Sequence, residues 1–119
     1  MSLLVHTFVV DADGSERLLE DPPLGRELAG FERSRTKLWG SPAMRALGAR
    51  FFPLLDGYDL RVQPEELGEF LAECATVRPH LPALAEHSGY TLEYVTARFD
   101  NIVAAAHRAR EVNGGVLVW

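Results

Sequence analysis

Four histidines, at positions 6, 80, 87 and 107, are the side chains of this 119-residue sequence best suited to proton transfer or metal binding. None stands in an HxH, HxxxH or HExxH spacing, so a metal centre would have to be assembled by tertiary contact. Glu93, Asp100 and His107 recur every seven residues, which puts them on nearly one helix face like an acid, a base and an orienter. Two helical turns separate neighbours by about 10 Å, beyond hydrogen-bond reach, and the row reads as a solvated surface. His87, just before Ser88-Gly89, suits a helix C-terminus, where an imidazole meets free carbonyls. His6, between Val5 and Thr7, reads as a half-buried strand residue. A small-ligand or enzymatic pocket drawn from His6, Tyr58, His87, Tyr94 and His107 requires two of the histidines to open into one cleft beside a carboxylate.

Other reactive types have structural readings. Cys74 falls on an apolar helix stripe, and Glu69 and Glu73 beside it would oppose formation of a thiolate. Ser41 lacks the G-x-S-x-G elbow and serves as a helix cap. The glycines match neither phosphate-binding pattern, and Pro79-His-Leu-Pro82 starts a helix. No catalytic residue, no cofactor and no metal is expected.

Two charged segments stand out. Residues 56–73 hold six acids and one base, and Glu65, Glu69 and Glu73 stand one helical turn apart with no base at i+4. Such a face could dock a basic protein partner or simply be solvated. Residues 31–50 hold five bases and one acid, with Arg33, Arg35 and Lys37 between Phe31 and Trp39. Bases among aromatics could hold a phosphate, a nucleotide or a protein surface, provided the rings are exposed. Extended nucleic-acid binding is disfavoured by a net charge of −5.

Strands and helices must position these groups. Leu3–Val10 is β-branched and aromatic up to Asp13-Gly14, a tight-turn pair, and Arg17–Glu20 is a possible return strand. Residues 24–40, interrupted by Gly25 and Gly30, give at most a short helix and a loop. Ser41-Pro42 starts a helix running to Phe51. Tyr58, Leu60 and Val62 alternate with Asp59 and Arg61 as a half-buried strand. Pro64 opens a helix with the stripe Leu67, Phe70, Leu71, Cys74 and Val77, and a short helix follows from Leu81. The longest helix runs from Leu92 to Val112 with Thr91 as its cap and Leu92, Val95, Phe99, Ile102, Val103, Ala106 and Ala109 inward. Val116–Trp119 is a last strand.

This pattern predicts one α+β domain over residues 1–119: a three- to four-stranded sheet with helices packed on one face in two layers. The length supports a core without disulfides. One cysteine and the lack of a signal or membrane segment point to the cytoplasm. The function expected is a non-enzymatic interaction module, a regulator, adaptor or inhibitor, using the acidic helix face or the basic-aromatic loop. A short sheet with several helices and an acidic balance resembles the bacterial immunity proteins that neutralise basic toxins, although no motif carries the likeness. Self-association through an exposed C-terminal strand is a third possibility.

Overall fold

A computed structural model describes residues 2–119. Val5, Thr7, Phe8, Val9 and Val10 favour extended backbone, and β1 (Ser2–Val10) is the strand on which the sheet is built. The turn after it closes as its residues require. Gly14 takes φ +86°, and Asp13 Oδ1 accepts from the Ser15 amide at 3.0 Å and the Ser15 hydroxyl at 2.6 Å. The return strand β2 (Glu16–Leu18) pairs with Phe8–Val10.

The sheet has five strands where three or four were expected. β3 (Leu28–Phe31), β4 (Leu60–Val62) and β5 (Gly115–Val118) complete it, every pair is antiparallel, and the order is β2-β1-β5-β4 with β3 on β1. β2 and β3 share one edge of β1 in tandem: Thr7 O accepts from Leu19, the Val5 amide donates to Glu27 O, and Leu4 O on the other edge accepts from Trp119. β3 is the strand that local pattern missed. Its backbone is held by distant side chains: Trp39 Nε1–H donates to Ala29 O at 2.9 Å, Asn101 Nδ2–H to Leu28 O at 2.8 Å, and the Phe31 amide to Tyr94 Oη at 2.7 Å. Gly30, at φ +131°, allows the close approach, since a Cβ there would lie 2.8 Å from Ser34 Oγ.

The C-terminal strand, expected as an exposed edge through which copies could associate, is an internal strand of the sheet. β5 lies between β1 and β4, so both its edges are paired. The strand expected from Tyr58 begins at Leu60, and Tyr58 is 73% exposed.

The helices follow their caps. In α1 (Pro42–Ala46) Ser41 Oγ accepts from the Met44 amide at 3.1 Å, but the helix stops short of Phe51 because Gly48 turns at φ +83° and Phe52–Leu55 forms a 3₁₀ turn. α2 (Leu67–Val77) follows a 3₁₀ turn over Pro64–Glu66, and α3 (Leu81–Ser88) ends at Gly89. In α4 (Leu92–Glu111) Thr91 Oγ1 accepts from the Tyr94 amide at 3.1 Å. The stripes face inward as expected, with Leu71 and Val103 only half-buried and Leu92, at the helix tip, exposed.

One face of the sheet supplies Leu3, Val5, Leu60, Val62, Val116 and Val118 to the core, opposite the helices. Trp39, Phe52, Phe70 and Phe99 fill its centre, with the Trp39 and Phe52 centroids 5.4 Å apart and Phe52 and Phe70 5.5 Å apart. Each such ring contributes on the order of 2 kcal/mol or more by leaving water. On the other face Phe8 is buried too, under the Arg61 guanidinium and against Gly115, where any Cβ would strike its ring. Among the described residues no helix is long and apolar enough to cross a membrane.

Candidate functional site

The basic-aromatic segment divides into a buried half and an exposed half. Residues Arg35–Trp39 form a single π-helical turn in which the Gly40 amide reaches Arg35 O at 2.7 Å. That winding turns Leu38 and Trp39 inward. Trp39 is completely buried and offers no surface to a partner; it anchors the turn to β3. Arg35 is half-buried and already engaged. Its guanidinium donates to Glu32 at 2.6 Å, Asp59 at 2.9 Å and the Tyr58 carbonyl at 2.7 Å. Burial opposes its charge, but these bonds to Asp59 and Glu32 prevail and raise its pKa.

What stays outside is Phe31, Arg33 and Lys37. Phe31 is 54% exposed, and its ring stacks on Tyr94 at 5.1 Å with an interplanar angle of 14°. Tyr90 packs 5.1 Å from Tyr94, and the Arg98 guanidinium lies 5.0 Å above the Tyr94 ring. Phe31, Glu32, Arg33, Lys37 and Tyr90 line a cleft of about 440 Å³, within the range of ligand-sized sites. Tyr90 Oη and Ser34 Oγ, the latter packed against Gly30, are buried polar atoms with no hydrogen-bond partner among the described residues. Among the described residues neither Arg33 nor Lys37 has an ion-pair partner within 4.0 Å. Tyr90, Tyr94 and Arg98 lie about 60 residues beyond Phe31, and only their aromatic and basic character could have suggested them.

The acidic row is arranged differently. Glu73 is turned inward and accepts from the amides of Arg50, Phe51 and Phe52 at 2.5, 3.0 and 3.0 Å, closing the 3₁₀ turn that follows α1. Glu69 lies 3.4 Å from the Arg50 guanidinium. Glu66 accepts from the Gln63 amide in a capping box at 3.0 Å. Glu65 alone of the row remains exposed and without an ion pair among the described residues. Cys74, next to Glu73, has its thiol pushed up to about 12 by burial and then by the Glu73 charge, so it stays protonated at neutral pH.

The structure sets the histidines apart. His6 Nε2–H donates to Asp21 at 2.5 Å, and its Nδ1 accepts from the Trp119 indole N–H at 2.9 Å. An indole N–H can only donate, which fixes the neutral tautomer and leaves neither ring nitrogen free for proton transfer. His87 borders a shallow cleft with Lys37, Ser41 and Pro42, and His107 borders a groove between α2 and α4 with Arg78 and Arg110. Tyr58 stands out from the surface, and Tyr94 belongs to the aromatic stack. Among the described residues no group of three His, Cys, Asp or Glu side chains could hold a metal ion.

Fold and site together define an α+β domain with an aromatic stack beside Arg33, Lys37 and Arg98, none of which has an ion-pair partner among the described residues. Comparison of the chain with protein-family models, with curated proteins and with solved structures finds no match.

Proposed function

We propose that this protein is a non-enzymatic binding module that engages an acidic partner protein through Phe31, Tyr90, Tyr94, Arg33, Lys37 and Arg98. The observation that carries the reading is an exposed aromatic, Phe31, stacked on Tyr94 beside cations that have no ion-pair partner among the described residues, Arg33 and Lys37 in the cleft and Arg98 over the Tyr94 ring. Rigid aromatics and arginines are the side chains that most often dominate interface energetics. The acidic face supports a basic partner less well, because Glu73, Glu69 and Glu66 already serve the chain's own amides and Arg50. The reading includes a cytoplasmic address, in keeping with a single cysteine held as a buried thiol.

Binding of a fluorescently labelled random Glu/Tyr copolymer tests it. Arg33→Glu/Lys37→Glu should weaken binding at least tenfold, as should raising the salt, because exposed charges are screened within about 8 Å at physiological ionic strength. Equal binding by wild type and double variant would refute the proposal.

A further inference from the structure

Of the four histidines only His6 is buried, and both its ring nitrogens are committed. Strand periodicity brings its partner to it. In the antiparallel pair of β1 and β5, His6 stands opposite Leu117, and Trp119, two residues further along, returns to the same face of the sheet. The indole thus lies diagonally across from the imidazole, with ring centroids 5.8 Å apart. Thr7, the next residue of β1, points the other way and donates to Ala105 O on α4 at 2.7 Å, so His6 faces away from the helices.

Among the described residues one carboxylate bonds the ring, that of Asp21, exposed on the segment that joins β2 to β3. The same segment carries Glu20, Arg26 and Glu27, none of them bonded to His6. From β5 the ring meets Leu117 and Trp119, neither of which carries a side-chain charge. Beyond Leu117 in the same row of the sheet stands Arg61 of β4, which is paired with Glu16 of β2. The imidazole therefore sits between one fixed donor, the indole N–H, and one fixed acceptor, the Asp21 carboxylate.

We infer that His6 is an acid-operated latch on the Trp119 indole. The neutral ring holds the indole through the lone pair of Nδ1. An imidazolium has an N–H at both nitrogens, and an indole N–H can only donate, so the charged ring and the bond to Trp119 exclude each other. A proton taken from water onto Nδ1 sets two donors face to face, and the indole leaves. Asp21 keeps its bond to Nε2–H and gains an opposite charge to face, so the imidazolium stays in place on β1. The Trp119 amide still donates to Leu4 O, which confines the change to the side chain at the end of β5. No residue that lines the Phe31 cleft takes part.

NMR of protein carrying 15N in its tryptophans tests the latch between about pH 8 and about pH 5, the interval in which imidazoles ordinarily titrate. Trp39 and Trp119 each give one indole N–H signal, assigned with Trp119→Phe, and Trp39, bonded to Ala29 O in the core, is the internal reference. The Trp119 signal should lose its hydrogen-bonded, downfield position as the pH falls, while the Trp39 signal stays fixed. His6→Asn, whose amide oxygen accepts but does not titrate, should hold the Trp119 signal constant. Asp21→Asn, at an exposed position, should move the transition lower by at least about half a pH unit, because it removes the charge that favours the imidazolium. That variant carries the test should His6→Asn fail to fold. A Trp119 signal unchanged down to the acid end overturns the latch. So does a transition that persists in full in His6→Asn, that Trp39 shares, or that Asp21→Asn leaves where it was.

Discussion

The acidic row of α2 and the basic-aromatic segment carry opposite charges in similar density, yet the folded chain engages most of the first and leaves Arg33 and Lys37 of the second without an ion pair among the described residues. Glu73 is drawn in to satisfy three consecutive amides of a 3₁₀ turn, and Glu69 and Glu66 meet a guanidinium and a capping amide. Across the molecule Arg33, Lys37 and Arg98 find no carboxylate among the described residues and gather about an exposed aromatic stack. Segment charge therefore says little about availability. Backbone donors at turn and helix starts need acceptors at short range, and a carboxylate one turn along a neighbouring helix can supply them.

Variants that test the buried anchors should have the largest effects. Trp39→Ala removes the ring at the core's centre and the hydrogen bond to Ala29, and should cost about 3–5 kcal/mol in denaturant unfolding. Trp39→Phe keeps most of the ring and should cost about 1–3 kcal/mol for the orphaned carbonyl. A loss under about 0.5 kcal/mol from Trp39→Ala would show that β3 is held without it.

Next comes Glu73→Ala, which strands three amides and should cost about 1.5–3 kcal/mol. An unchanged unfolding midpoint would return Glu73 to the set available to a partner. Cys74 gives an independent readout on the same helix. With its thiol near 12 in the folded state and near 9 when unfolded, it should resist alkylation at pH 8 in native protein and react on unfolding. Folding holds the neutral thiol, so its contribution is intact below pH 9 and is lost as pH climbs from about 9 toward 12. Rapid labelling of native protein at pH 8 would contradict its burial.

Smaller still, Phe31→Ala should change stability by less than about 1 kcal/mol while abolishing copolymer binding, separating a recognition role from a structural one. Smallest of all, Glu65→Ala and Glu69→Ala should stay within about 0.5 kcal/mol and leave binding unchanged. A clear loss of binding in either would reopen the acidic face.

Much of the fold was legible locally. The inward stripes of α2 and α4, the cap at Ser41 and the cap at Thr91 all rest on interactions within four residues, and they stand where periodicity and capping put them. β3 was not legible, because Leu28–Phe31 owes its extended form to Trp39, Tyr94 and Asn101, up to 73 residues away. Tyr58 failed for a related reason: the Arg35 guanidinium holds its carbonyl and the Asp59 carboxylate at the mouth of β4, so alternation begins only at Leu60. At the site, Phe31, Arg33 and Lys37 were visible as a segment, whereas Tyr90, Tyr94 and Arg98 join them only through the packing of α4 on β3.

The sequence by itself determined the class of this protein: an α+β domain whose helices carry their own caps and stripes, with a basic, aromatic stretch between two acidic ones. Those properties follow from short-range periodicity and from counting charges. Tertiary structure decided which of these charges remain free, because Glu73 caps the amides of Arg50–Phe52 and Arg35 pairs with Asp59 across 20 or more positions of sequence. It likewise decided that Trp39 faces the core, through the π-helical turn that ends on it, and that Phe31, at the end of β3, stays exposed against Tyr94.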